Sequence, residues 1–197
     1  MDDVGKTDDA DGAAPRSRRR IAPLIVLVVA IAVGALFIVL AGSKSGKNET
    51  IESYLIDRPA PAVESTSLED EPFDLSRRKG SWVVLNFFDP TCIPCQAEHP
   101  ELVALAEQQA GLADGAELYT IINNGSDESV REYFETNGGT WPVIRDPEGS
   151  ISVAFGVAQV PETWIIDPNG IVRARFAGEI TAEKVGIVLQ QLREGPL

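Results

Sequence analysis

The 197-residue chain contains two cysteines, Cys92 and Cys95, separated by Ile93 and Pro94. A pair at this spacing can hold half of a zinc site, close a structural bridge, or cycle between dithiol and disulfide. A zinc site needs a second pair of ligands, and His99 is the only histidine of the chain. A bridge across so short a loop restrains little of the unfolded chain. Redox exchange is the chemistry left, and the flanking residues suit it. Residues 82–88 (WVVLNFF) form a continuous run of strand formers, the pattern of a strand buried on both faces. Residues 94–110 form the pattern of a helix, with Leu102, Leu105 and Ala106 on one side and Pro100 as a kink. The cysteines therefore fall where a strand ends and a helix begins. Unpaired amides at a helix N-terminus stabilise an anion, so the first thiol is expected to ionise readily. Pro94 costs nothing in the first turn, where its missing N–H has no partner to lose. Cys92 is thus the expected exposed nucleophile, and Cys95 the resolving thiol one turn further in.

The surrounding elements follow from the hydrophobic pattern. A short hairpin is expected around 63–66 and 72–75, after the break at Pro59-Ala60-Pro61. Residues 117–123 (ELYTIIN) form the next strand. Ser126 is placed to cap a helix that runs to Asn137 and stops at Gly138-Gly139. After 141–145 comes a short helix near 150–155. Residues 163–167 (TWIID) and 171–176 (IVRARF) flank Asn169-Gly170, a tight-turn signal. The closing helix spans 181–192, where Val185, Val188, Leu189 and Leu192 share one face. The order, βαβα then ββα, predicts an α/β sandwich around a mixed sheet.

The first fifty residues have another character. Residues 1–20 are small and charged, with five aspartates against Lys6 and four arginines, and are expected to be a disordered tail. Residues 21–41 run without a charged side chain, and about 20 apolar residues span a bilayer as a helix. The length favours an uncleaved anchor over a signal peptide, whose apolar core is usually about 7–15 residues. The arginines at 16 and 18–20 place the tail in the cytoplasm and the rest of the chain outside the cell membrane. Residues 42–54, opening with GSKSGKNET, are expected to be a linker, and 55–197 the folded domain. The net charge of −13 falls entirely after residue 41. So acidic a domain is repelled by an anionic membrane surface and lacks the basic face that nucleic acid requires.

On these motifs, residues 55–195 resemble the thioredoxin superfamily, specifically the membrane-anchored ResA/CcmG/TlpA group of thiol–disulfide oxidoreductases. The resemblance is carried by VVLNFFDPTCIPCQAEHPEL, by the helix-containing insertion at 123–147, and by FGVAQVPETWIIDPNGIVRARFAGEIT. It implies a thioredoxin-like fold: a mixed central sheet flanked by helices, with an N-terminal extension and a central helical insertion, preceded by one transmembrane helix. It implies that Pro161 is cis and faces the cysteines, leaving the Val160 backbone to pair with an incoming peptide. Val160, Pro161, Glu162 and Thr163 are then the substrate-binding stretch. Ordinary thioredoxins keep a buried acid six residues before the first cysteine; this chain has Asn86, as that group commonly does. Glu98, three residues after Cys95, matches the group's glutamate. There it would raise the thiol pKa values and relay a proton. Its plain alternative is a solvated helix surface, and His99 is expected to be a surface or packing residue. The chain departs from the pattern at Thr91, where the family usually has Trp, and adds Asp89-Pro90 before it.

The activity so implied is an extracytoplasmic reductase of disulfides in apocytochrome c or other exported proteins. It would be re-reduced by a membrane electron donor of the CcdA/DsbD type. It needs no metal and no cofactor beyond the redox-active Cys92–Cys95 disulfide. Three rivals stand beside it. A disulfide-forming oxidase differs only in potential. A Sco-type copper chaperone uses a CxxxC spacing and a distant histidine. A thiol peroxidase carries Thr where this chain has Asp89.

Overall fold

The computed structural model describes residues 22–42 and 53–195. The tail expected at 1–20 and most of the linker expected at 42–54 lie outside the described residues. The chain divides into two units, Met1–Lys47 and Asn48–Leu197. In the first, α1 (Ala22–Gly42) is a helix of 21 residues, about 30 Å long at 1.5 Å per residue. Among the described residues no helix is long and apolar enough to cross a membrane. The side chains of α1 are described only at 23 and 25–36.

In the second unit, five strands form one sheet in the order β5-β4-β3-β6-β7. They are β3 (Val83–Phe88), β4 (Glu117–Ile122), β5 (Val143–Arg145), β6 (Glu162–Ile166) and β7 (Val172–Ala177). Strands β3, β4 and β5 are parallel to one another, while β6 runs antiparallel to both of its neighbours, β3 and β7. The sheet is therefore mixed, as expected. Its third parallel strand, β5, has no counterpart in the sequence pattern: only three residues long and preceded by Pro142, it carries too little alternation to be seen there. A separate hairpin pairs β1 (Glu64–Thr66) with β2 (Pro72–Asp74).

Strand β3 is buried at every residue because both sheet faces are covered. Its side chains alternate between them. Leu85 and Phe87 join Tyr119, Ile121, Trp164 and Ile166, and this face is covered by Leu55, Val63, Phe73 and by Phe155 of α4 (Ser150–Phe155). Val84 meets Leu118, Ile165 and Phe176 on the other face. There Leu102 and Leu105 of α2 (Ile93–Ala110) and Val185 and Leu189 of α5 (Ala182–Glu194) complete the core. Each of these side chains contributes about 1.5–3 kcal/mol by leaving water. Helix α2 runs through Pro100 without ending. A third cluster, Phe88, Cys95, Ile122, Val130 and Phe134, brings α3 (Asp127–Asn137) against the start of α2.

Caps and turns are where local chemistry places them. Ser126 accepts from the Ser129 N–H and caps α3, and Thr181 does the same for α5 through Lys184. The β6–β7 turn places Gly170 at φ +81°, a conformation that glycine adopts without steric cost. The N-terminal extension pairs with the start of β7 and the turn before it: Asp57 N–H donates to Val172 O, and Ala60 N–H to Gly170 O. That covers the beginning of an edge that could otherwise template another chain.

Candidate active site

Cys92 is the N-cap of α2, with φ −80° and ψ 117°. Its half-buried sulfur accepts a hydrogen bond from the Cys95 N–H at 3.4 Å. This is the interaction that a helix N-terminus offers to an anion. On its other side Cys92 Sγ lies 3.6 Å from the Val160 carbonyl, to which the thiol donates. The Val160–Pro161 peptide bond is cis. Ile93 beside the pair is 78% exposed, so the end of the site meets solvent.

Cys95 is fully buried. Burial pushes its thiol well above the ordinary range, and the hydrogen bond and charge of Cys92 add to this, with the charge of Glu98 behind them. The Asp89 backbone N–H is the one influence that acts the other way. The two thiols are therefore unlike: one is accessible at a helix terminus, the other is sealed one turn inward and held protonated.

Glu98 is 1% exposed, which rules out the solvated-surface alternative. It is buried because Asn86 sits on the same sheet face that α2 covers. Asn86 Nδ2 donates to Glu98 Oε1 at 2.7 Å and to Thr163 Oγ1 at 3.0 Å. The Ile180 N–H donates to Glu98 Oε2 at 3.1 Å. Burial pushes the carboxyl up to about 8; the bonds from Ile180 and Asn86 oppose this, and the charge of Glu179 adds to it. A carboxyl tuned to that range can give or take a proton near neutral pH.

The four residues expected to bind substrate divide into two pairs. Val160 packs with Cys92 on the third core cluster, and Pro161 follows it directly. The side chains of Glu162 and Thr163 turn into the protein. Glu162 is buried and held at both oxygens by Arg175, at 2.8 Å each, and Thr163 anchors Asn86. A carboxylate in the interior needs that pairing, which removes it from the site face. Of the expected stretch, only Val160 keeps partial exposure; Pro161 is buried beside it. His99 is a packing residue, set among Phe88, Tyr133, Phe134 and Trp141. Its Nε2 lies 2.8 Å from Gly138 O and so carries the proton, and burial lowers its pKa. Sequence reasoning misses Ile180, because its contribution is a backbone N–H from 82 residues away. Among the described residues no group of three or more His, Cys, Asp or Glu could hold a metal ion.

A strand-CxxC-helix on this sheet, faced by a cis-proline loop, defines a thioredoxin-like thiol–disulfide oxidoreductase. Comparison with known proteins agrees. The AhpC/TSA family matches residues 56–175. The thiol:disulfide interchange protein DsbE of Pseudomonas aeruginosa is 30% identical over 153 residues, covering 74% of this chain and 82% of that protein. The thiol-disulfide oxidoreductase ResA of Bacillus cereus is 29% identical over 167 residues, covering 85% and 94%. The crystal structure of a DsbF homologue from Corynebacterium diphtheriae superposes with a TM-score of 0.64 at 26% identity, over 76% of this chain and 96% of that one. The chain belongs to the AhpC/TSA family, among the DsbE- and ResA-type thiol–disulfide oxidoreductases.

Proposed function

We propose that this enzyme is a membrane-anchored reductase of disulfides in exported proteins, apocytochrome c in particular. The uncharged apolar sequence of residues 21–41 is the support for a single span, with the N-terminus cytoplasmic and residues 55–197 working outside the membrane. Reduced Cys92 attacks the substrate disulfide and forms a mixed disulfide. Cys95 then attacks Cys92 and releases the reduced substrate. Glu98 takes part as the buried proton acceptor and donor of this exchange. A CcdA/DsbD-like membrane donor restores the dithiol, and no cofactor or metal beyond the Cys92–Cys95 pair is used.

The observation that carries the direction is the sealed Cys95 beside the buried Glu98. A strong oxidant owes its potential to a stabilised thiolate in its reduced form. Here burial keeps Cys95 a thiol, so the reduced form gains no such stabilisation from its second sulfur, as suits a reducing pair. The relatives' names speak of interchange and of oxidoreduction, and the acidic outer domain suits partners away from the bilayer.

The test is a Cys95→Ala variant expressed in cells, which should hold its partner as a mixed disulfide through Cys92. The expected catch is a c-type cytochrome or a haem-assembly protein. A catch of many unrelated exported proteins would remove the specific role. A potential for the Cys92–Cys95 pair near about −120 mV would instead make the enzyme an oxidase.

A further inference from the structure

The loop between β3 and α2 is held by a side chain that the exchange described above does not use. Asp89 Oδ1 accepts from the Thr91 N–H and from the Thr91 hydroxyl, both at 2.7 Å. Asp89 Oδ2 accepts from Asn124 Nδ2, also at 2.7 Å. Asn124 lies beyond the end of β4, and its own Oδ1 takes the Gly125 N–H at 3.0 Å. Its amide is thereby oriented with the donor toward Asp89. The Asp89 carbonyl accepts from the Cys92 N–H at 3.1 Å. One residue thus joins the residue before the nucleophile, the nucleophile itself and a neighbouring loop. Burial raises the Asp89 carboxyl, but the bonds from Asn124 and Thr91 outweigh this and keep it below its ordinary value. It is an ionised acceptor, the stronger kind.

We propose that Asp89 is a positioning residue: its carboxylate clamps Thr91 to Asn124 and so sets the loop on which Cys95 reaches Cys92 in the mixed disulfide. The clamp also accounts for Thr91, which stands where the family it resembles usually has tryptophan. Both its amide and its hydroxyl are engaged by Asp89, so hydrogen bonds hold the loop where a ring would hold it by packing. The backbone N–H of Asp89 itself is what favours the Cys95 thiolate, so loosening the loop that Asp89 anchors acts on the second step. In that step the Cys95 thiolate attacks Cys92 Sγ. The Cys92–Cys95 bond forms and the bond from Cys92 to the substrate sulfur breaks. The substrate leaves as a thiolate and takes up a proton. The enzyme pair is oxidised by two electrons and the substrate is reduced by two.

This inference rests on the dithiol–disulfide cycle proposed above, and the experiment separates the two. Reduced full-length protein is mixed with 5,5′-dithiobis(2-nitrobenzoate) by stopped flow. The first coloured thiolate reports attack by Cys92, and the second reports resolution by Cys95. Asp89→Ala should slow the second release by about tenfold or more, the scale of a lost hydrogen bond to a charged group, while the first changes much less. Asn124→Ala and Asp89→Asn should do the same to a smaller degree, and both keep the Thr91 contacts that guard folding. The double variant Asp89→Ala/Asn124→Ala should be no slower than Asp89→Ala. The pH profile of the second release should move upward in Asp89→Ala. The groups around Cys95 that could also shape this profile are Cys92, Glu98 and His99 on its own helix and Tyr133 on α3; all are unchanged in these variants. A second release unaffected by Asp89→Ala and Asn124→Ala, or both releases slowed alike, overturns the clamp. A wild-type protein without a second release overturns the cycle instead.

Discussion

Replacing Glu98 with glutamine should flatten the pH dependence of stability on the alkaline side. Burial raises the Glu98 carboxyl from 4.5 to about 8 in the folded protein. The folded state therefore binds this proton more tightly than the unfolded state. The stability tied to it is complete below about pH 4.5 and is lost progressively as the pH climbs through 8. At about 1.4 kcal/mol for each tenfold in proton affinity, the gap amounts to a ceiling of about 5 kcal/mol above pH 8, and to about 3 kcal/mol by pH 7. Glutamine carries no titrating proton and fits the same site. Asn86 Oδ1 is buried without a partner; if the Asn86 amide turns over, that oxygen can accept from the new amide group and from the Thr163 hydroxyl. The assay is urea denaturation of the reduced wild type and Glu98→Gln at half-unit steps from pH 5 to 8.5. The variant should gain on the wild type steadily as pH rises. His99 contributes the opposite slope below about pH 6.5, equally in both proteins, so the difference between them isolates Glu98. Curves that stay parallel across this range would refute the argument that burial, rather than the bonds from Asn86 and Ile180, dominates the carboxyl. The same variant should also lose interchange activity, with its greatest loss near neutral pH where Glu98 can both give and take a proton.

Three other outcomes are expected. Arg175→Met strands the Glu162 carboxylate inside the protein and should cost about 3–5 kcal/mol in denaturant unfolding; adding Glu162→Met should recover much of it. Asp146→Ala removes the acceptor for the Ile151 and Ser152 N–H groups and the Ser152 hydroxyl. It should cost about 1–3 kcal/mol and, because α4 leads into the Val160–Pro161 loop, should slow interchange in a steady-state assay. His99→Phe replaces an imidazole whose pKa burial has lowered. Its contribution to wild-type stability is lost as pH falls below about 6.5, against the gain from Glu98, so urea titrations at pH 5 and 7 should show the variant gaining on the wild type at pH 5.

Features set by neighbours along the chain are legible in the sequence itself. The Cys92–Cys95 spacing, the cap at Ser126, the Asn169-Gly170 turn and the apolar run at 82–88 each depend on residues within a few positions of one another. Those patterns imply a strand, a helix terminus and a reactive pair between them, which is most of the fold and the essence of the chemistry. Strand β5 escapes because three residues after a proline hold no period to detect; it is a strand only because β4 pairs with it. Glu162 and Thr163 stand next to Pro161, and position alone assigns them to the substrate. Only the sheet decides that one turns to Arg175 and the other to Asn86. The character of Glu98 is likewise a tertiary decision. Its place three residues after Cys95 is written in the sequence, but its proton affinity depends on how much water reaches it. That is settled by the packing of α2 against the sheet, and it outweighs the opposing bonds from Asn86, twelve residues earlier, and Ile180, eighty-two residues later, which the fold brings to its two oxygens.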